Sequence, residues 1–261
     1  MKIYTLFNII YFLKNFNRFI LLIKKVIRRV IKTNGSISYK DNLKFLNKNC
    51  EDLDMFFSNI DSNLWTKSKL FQNTLYNYEN QKLKSVKDDL GGGGAYNVIY
   101  FLTKLVKPKI IFETGVGAGY STYAFLTAIK ENNLGSLFSS DFPYFRLKKP
   151  ERYIGFLVTE DLKDNWILYD EGDEKNIKDY IHKYNYQFDI LHYDSDKTYL
   201  GRTIFFKNAK KQINKNTIIL MDDIQDNSFF YDYINKEGIK KWKIFKFENK
   251  FIGLIYNKDF F

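Results

Sequence analysis

The chain of 261 residues is long enough for one α/β domain with extensions and a sizeable core. A single cysteine, Cys50, excludes an intramolecular disulfide framework, and with only His182 and His192 beside it a Cys/His zinc site is not expected. The net charge of +11 comes almost wholly from residues 1–40, which hold nine Lys or Arg and no Asp or Glu. The rest of the chain is close to neutral, so no basic face indicates a nucleic-acid partner.

Residues 1–32 are predicted to form a cationic amphipathic helical segment. Its apolar side chains recur at helical spacing and its basic ones fall on the opposite side. Lys14 and Arg18 interrupt any apolar run of 18 residues, which disfavours a spanning helix, and no small-residue cleavage site of a signal peptide follows. Three roles stay open: binding an anionic membrane surface, packing on a partner subunit, and covering the domain's own core.

A polar break at Thr33–Ser38 separates this segment from residues 41–87, which place apolar side chains at helical spacing. The glycine-rich stretch 88–94, DDLGGGG, then predicts a hinge-like loop. We therefore predict three parts: the cationic segment over residues 1–40, a helical cap with its hinge over 41–94, and the main domain over 95–261.

Strands and helices alternate through the main domain. Ala95–Val106 predicts an apolar helix that ends before Pro108. The predicted strands are 109–113, 136–140, 166–170, 188–193, 217–221, 242–247 and 251–256, with helices at 119–131, 173–184, 199–213 and 228–236. This alternation predicts a parallel sheet with right-handed crossovers. The tight polar turn Glu248–Lys250 joins the last two strands in an antiparallel hairpin.

The segment 109–121, KIIFETGVGAGYS, is the centre of the predicted site. Its strand ends at Glu113, and a helix begins after glycines at three alternate positions, Gly115, Gly117 and Gly119. Such a turn lets the backbone approach a ligand closely, because no Cβ atoms intervene. A dinucleotide-binding fingerprint would need its third glycine where this chain has Tyr120. The pattern E-x-G-x-G-x-G instead resembles the first motif of the class I S-adenosylmethionine-dependent methyltransferases.

Two later segments resemble further motifs of that family. Asp141 ends the second strand, where the family places an acid that hydrogen-bonds the ribose hydroxyls of the cofactor. The turn 171–173, Glu-Gly-Asp, resembles the turn that contacts adenine. The resemblance implies that S-adenosylmethionine is the cofactor and that its ligands are Glu113, Gly115, Gly117, Gly119, Asp141 and Asp173.

Acids also follow the next two strands, as D-S-D-K at 194–197 and D-D at 222–223. This pattern resembles the metal-dependent O-methyltransferases, both the catechol and caffeoyl-CoA type and the sugar-modifying macrocin type. It implies that Asp194, Asp222 and Asp223 bind Mg²⁺ or another divalent cation, and that Lys197 and Asp194 act in catalysis, with Lys197 as the base. The catechol and caffeoyl-CoA type has Asn in place of Asp223, which puts the role of Lys197 in doubt. Without a metal, Asp222 or Asp223 would cap the following helix, and His192 is expected to be a packed core residue.

The resemblance covers about residues 95–257. It implies a Rossmann-like, doubly wound, mostly parallel seven-stranded sheet with a C-terminal antiparallel hairpin, preceded by an α-helical N-terminal extension. It makes the loop 88–94 either a plain linker or a lid over the cofactor. The aromatic insert between Asp141 and Trp166 becomes either a wall of the acceptor pocket or a core-packing loop.

The resemblance predicts an O-methyltransferase acting on a hydroxyl of a small molecule, of the sugar or phenol class. The expected location is the cytoplasm, or the inner face of the membrane if residues 1–32 make a peripheral membrane contact. A homo-oligomer is left open. Two other functions also stay open: a membrane-associated binding protein with a vestigial pocket, and a nucleotide- or NAD-binding enzyme on a similar sheet.

Overall fold

The computed structural model describes residues 16–31, 33–144, 147 and 149–256. The predictions made for residues 1–15 and for Lys32 therefore lie outside the described residues. Within the described ranges, no helix combines the length and the apolar character needed to cross a membrane.

The elements follow the predicted order closely. The helices are α1 (Phe16–Val30), α2 (Tyr39–Asn49), α3 (Leu53–Leu83), α4 (Tyr96–Val106), α5 (Tyr120–Asn132), α6 (Asp173–Lys183), α7 (Tyr199–Asn208) and α8 (Phe229–Lys236). The strands are β1 (Cys50–Glu51), β2 (Ile110–Thr114), β3 (Ser136–Ser140), β4 (Trp166–Tyr169), β5 (Ile190–Tyr193), β6 (Ile218–Met221), β7 (Trp242–Phe247) and β8 (Lys250–Ile255).

The strands form one sheet in the order β1-β7-β8-β6-β5-β2-β3-β4. Neighbours pair in parallel except at β8, which runs antiparallel to both β6 and β7. The predicted mostly parallel sheet with a C-terminal antiparallel hairpin is confirmed. The strand order reverses between β2 and β5, and ligands of open α/β sheets bind beyond the strand ends at such a switch point.

Two apolar layers cover the sheet because successive strand residues point to opposite faces. Ile111 packs with α3, α4 and α5, whereas its neighbour Phe112 packs with α6 and α7 on the other face. The first layer includes a ring cluster in which Phe57 lies 5.1 Å from Phe101 and 5.3 Å from Phe245, between ring centroids. The helix α3 therefore belongs to the same core as the sheet. The predicted division at residues 94 and 95 stays a prediction.

Three details differ from the sequence prediction. The sheet has eight strands and not seven, because the two-residue strand β1 pairs with Ile244 and Phe245 of β7. Two residues are too short for an alternation to be recognised. The long helix α3 contains one residue with non-helical backbone, Asp61, whose carboxylate accepts a hydrogen bond from the backbone N–H of Leu64. Helix α7 ends at Asn208, five residues earlier than predicted.

The amphipathic helix predicted near the N-terminus is confirmed over Phe16–Val30. Its basic face, with Arg18 and Arg28, lies against acidic side chains of the main domain. Of its large apolar side chains only Leu22 is buried. Within the described residues of this segment, most of the apolar face therefore does not cover the domain's own core, which was the third role left open.

Candidate functional site

The glycine turn between β2 and α5 has the backbone that the sequence predicts. Gly115, Gly117 and Gly119 all have positive φ, at 82°, 54° and 97°. A Cβ atom on Gly115 would lie 2.2 Å from the backbone oxygen of Asp194, so the tips of β2 and β5 approach too closely for any side chain there. A Cβ atom on Gly119 would lie 2.8 Å from Cα of Gly155. The turn thus needs glycine for both conformation and space.

A cleft of about 260 Å³ opens beside this turn. It brings together side chains and backbone from three of the predicted strand tips, namely Gly115, Gly117, Asp141, Asp194 and Lys197. Lys25 and Arg29 of α1 and the loop residues 92–94 also line it. Glu113, Gly119, Asp173, Asp222 and Asp223, which the sequence also assigned to the site, do not line the cleft.

Glu113 lies behind the turn and is fully buried. Its carboxylate accepts hydrogen bonds from the hydroxyls of Ser121, Thr122 and Ser139. These bonds tie the end of β2 to the first turn of α5 and to β3. Glu113 therefore holds the glycine turn in place from behind.

Asp141 faces the cleft at the tip of β3. Its carboxylate accepts hydrogen bonds from the backbone N–H of Gly117 at 2.8 Å and of Phe142 at 2.6 Å. Burial raises the pKa of Asp141 to about 6, although those two bonds and the nearby Lys25 ammonium favour the charged form. Asp141 is thus fixed against the glycine turn, as expected for a residue that orients a ligand there.

Asp173 begins α6 and connects two strand tips. Its carboxylate accepts hydrogen bonds from Ser140 Oγ after β3 and from Ser195 Oγ after β5, both at 2.6 Å. Asp173 therefore sets the spacing of the strand ends that frame the cleft.

Lys197 lies between two of the predicted metal ligands. Its ammonium pairs with Asp223 and lies 3.1 Å from Asp194 Oδ1. Burial alone would lower the pKa of Lys197, but the attraction of Asp194 and Asp223 outweighs it and raises the pKa. Burial, with the nearby Asp222 carboxylate, raises the pKa of Asp194 to about 6. The cleft therefore presents a protonated lysine beside a weakly acidic carboxyl group.

The third predicted metal ligand, Asp222, faces a different partner. Its Oδ1 atom lies 3.6 Å from Nε2 of His192. Among the residues that the structure describes, no group of three or more His, Cys, Asp or Glu side chains is placed to hold a metal ion. Since the Lys197 ammonium stands where Asp194 and Asp223 would share a cation, the residues as arranged do not fit a divalent ion. The metal-ligand assignment stays a prediction.

His192 lines the cleft, although the sequence indicated only a packed core histidine. It is buried between two carboxylates, 3.8 Å from Glu113 Oε1 and 3.6 Å from Asp222 Oδ1. These distances make charge contacts and not hydrogen bonds. Burial alone would lower the pKa of His192, but the two carboxylates outweigh it and raise the pKa to about 10. Its position next to the predicted strand tip was the one signal available in the sequence.

The glycine-rich loop 88–94 folds over the cleft. The hydroxyl of Tyr144 donates a hydrogen bond to the backbone oxygen of Leu90 at 2.7 Å, and that of Tyr120 to the oxygen of Gly91 at 3.3 Å. Tyr144, from the insert after β3, lines the cleft as well. Both segments are thus placed as walls of the cleft. A larger depression of about 1050 Å³ lies elsewhere, along α7 and α8, and contains none of the predicted site residues.

Part of the chain matches a known protein family. Residues 112–224, which span the glycine turn and the four acidic strand tips after it, match a family described as a methyltransferase domain. No curated protein matches the chain.

Several solved structures share the fold. An O-methyltransferase from Bacillus cereus in complex with SAH is 16% identical, covering 70% of this chain and 90% of that one, with a TM-score of 0.54. The O-methyltransferase TomG from Streptomyces achromogenes, involved in tomaymycin synthesis and solved with SAM, is 12% identical, with coverage of 70% and 89% and a TM-score of 0.52. An SAH-bound methyltransferase from Podospora anserina is 14% identical, with coverage of 70% and 88% and a TM-score of 0.51. At these identities the likeness establishes the fold.

Proposed function

We propose that this chain, whose residues 112–224 match a methyltransferase domain and whose fold is shared with O-methyltransferases, transfers the methyl group of S-adenosylmethionine to a hydroxyl oxygen of a small molecule. One observation carries this proposal. The glycine turn, Asp141 and Asp194 meet in one cleft at the switch point of the sheet, between β2 and β5. The SAM- and SAH-bound proteins of the same fold support the choice of cofactor.

We assign the cofactor to the side of the cleft formed by Gly115, Gly117 and Asp141. The bare backbone of the turn admits the cofactor closely, and the Asp141 carboxylate accepts hydrogen bonds from its ribose hydroxyls. Glu113, Gly119 and Asp173 act indirectly, because they hold the turn and the strand tips without lining the cleft. Of the six residues predicted to bind the cofactor, three are therefore assigned to direct contact and three to support of the contact residues.

We assign proton removal to Asp194 and not to Lys197. A general base works best when its pKa lies near the working pH, and the pKa of Asp194 is about 6. Lys197 is protonated at neutral pH because its pKa is raised. In the reaction, the acceptor oxygen attacks the methyl carbon as the carbon–sulfur bond breaks. The hydroxyl proton passes to Asp194, and S-adenosylhomocysteine leaves.

The acceptor is a small hydroxylated molecule, of the sugar or phenol class that the sequence resemblance implies. The cleft is compact, and Tyr144 and the loop 92–94 wall it in. For methyl transfer the protein must mainly align the two reacting atoms and provide a group that accepts the hydroxyl proton.

Cofactor binding tests the proposal directly. We expect S-adenosylmethionine to bind the purified protein in a calorimetric titration, and Asp141→Asn to weaken binding by about 1–3 kcal/mol. A panel of sugars and phenols incubated with methyl-labelled cofactor would identify the acceptor. Absence of any cofactor binding by folded protein would contradict the proposal, and binding without transfer to any acceptor would favour a vestigial pocket.

A further inference from the structure

Ion pairs fix which way α1 faces. Arg18 and Arg28, three turns apart, each leave only 13% of the side chain exposed. Among the described residues, their acidic partners lie on the main domain. They are Glu151, Asp170 and Glu171 for Arg18, and Glu174 and Asp196 for Arg28. Lys25 lies between the two arginines along the helix, with its ammonium 4.7 Å from the ring centre of Phe142. The basic side of the helix is thus the inner side.

The opposite side of α1 is apolar and faces solvent. We call it the outer face, and it consists of Phe16, Ile20, Ile23, Val26, Ile27, Val30 and Ile31, the last just past the helix end. Their exposed fractions run from 36% for Ile20 to 77% for Val30. A run of large exposed apolar side chains on one helix face marks an interaction surface. It is the reverse of an ordinary surface helix, whose apolar side packs on the core.

The charges near the outer face indicate what covers it. Lys24 is exposed beside it, and residues 1–40 contain no acidic side chain at all. Two copies of the chain packed through this face would bring their Lys24 cations together with no acid of the segment to balance them. An anionic lipid surface supplies the missing negative charge and also accepts the apolar side chains. Among the described residues, no helix is long and apolar enough to cross the bilayer.

We propose that the outer face of α1 docks on an anionic lipid surface, with the helix lying in the plane of the membrane interface. Arg18 and Arg28 hold the main domain to the other side of the helix. Lys25 and Arg29 line the cleft from the inner side of the helix, so docking leaves α1 between the lipid and the cleft. This proposal stands on the geometry of α1 and does not depend on methyl transfer.

Vesicle co-sedimentation of the full chain tests the proposal. The vesicles contain equal parts of phosphatidylglycerol and phosphatidylcholine, with pure phosphatidylcholine for comparison. We expect binding to the anionic vesicles, and the triple variant Ile20→Ser, Ile23→Ser and Ile27→Ser to reduce it by roughly tenfold or more. The variant keeps the fold, since these side chains are exposed and Ser and Ile have similar helix propensities.

A control variant removes three exposed apolar side chains elsewhere, two of which are more exposed than those changed in α1. Met55→Ser, Leu70→Ser and Leu134→Ser, at exposed positions outside α1, are expected to leave vesicle binding unchanged. Lys24→Glu should weaken binding to anionic vesicles only, whereas Lys67→Glu, the same charge change on α3, should not. Three results would overturn the proposal: no binding by the wild type, equal binding by the outer-face variant, or a wild-type dimer that this variant converts to a monomer.

Discussion

Asp194 and Lys197 lie together in the cleft, and their surroundings raise the pKa of both groups. The effect differs, because the pKa of Asp194 comes close to neutral pH whereas Lys197 stays protonated. The pKa of Asp194 is about 6 through burial and the nearby Asp222 carboxylate, while two carboxylates raise the pKa of Lys197. Of these two groups, only Asp194 can therefore take up a proton near neutral pH. The sequence could name both residues, but not which of them is the base, because that depends on contacts between separate strand tips.

We expect turnover at saturating cofactor to rise with pH through about 6 and then to level off. The carboxyl group of Asp194 must be ionised to accept a proton, so activity is lost as pH falls through its raised pKa. Asp194→Asn should lower kcat by about 10²–10⁴-fold and leave cofactor affinity largely intact. Measuring kcat, and not kcat/KM, separates this effect from the titration of Asp141. A variant that keeps full turnover would remove Asp194 from the mechanism.

Chelation tests the metal assignment made from the sequence. Because the Lys197 ammonium already neutralises Asp194 and Asp223, we expect turnover to survive exhaustive treatment with EDTA. The measurement is the rate before chelation, after it, and after Mg²⁺ is added back. A loss that Mg²⁺ restores would show that the sequence-based metal site is right and that Lys197 moves aside when the ion binds.

The glycine turn leaves no room for a side chain where it contacts the tip of β5. Gly115→Ala places a Cβ atom 2.2 Å from the backbone oxygen of Asp194, at a φ of +82°. We expect it to lower the free energy of unfolding by about 1–3 kcal/mol and to weaken cofactor binding. Gly92→Ala is the matched control, since nothing lies within 4 Å of its Cβ position. Equal losses in denaturant unfolding for the two variants would contradict this account.

The sequence predicted most of the helices and strands and their order, but it did not predict which face of α1 contacts the main domain. Buried strands were recognisable from the local pattern of residues. The bounds of strand 136–140 are confirmed, whereas the strand predicted over 188–193 begins two residues later, at Ile190. The amphipathic pattern of α1 was also recognisable. Its orientation was not, because that depends on acids such as Glu151 and Asp196 that lie more than 130 residues away in the chain. Local periodicity identifies a face without identifying its partner.

A buried acid makes the stability of the whole molecule depend on pH. Glu79 on α3 is only 7% exposed, and burial, with the nearby Glu248 carboxylate, raises its pKa from 4.5 to about 7. The folded state therefore binds this proton more tightly than the unfolded chain does. Its contribution to stability is fully present below pH 4.5 and is lost as the pH rises towards 7.

Glu79→Gln should therefore raise the free energy of unfolding at pH 8 by roughly 1–3 kcal/mol, with the gain fading near pH 4.5. Denaturant unfolding at both pH values measures the difference. Glu160→Gln, at a side chain that is 89% exposed, provides the control and should change little at either pH. If Glu79→Gln raised the free energy of unfolding equally at pH 4.5 and pH 8, removal of the Glu79 charge would not be the cause.

The two-residue strand β1 covers one edge of the sheet. It pairs with Ile244 and Phe245 at what would otherwise be the open edge of the sheet. Unpaired edge strands invite the backbone of a second molecule, and aggregation follows. The helical part before residue 95 thus shields β7 as well as packing on it. A fragment beginning at residue 95, although it contains every strand that frames the cleft, would expose β7, and we expect it to aggregate more readily than the full chain in a light-scattering measurement.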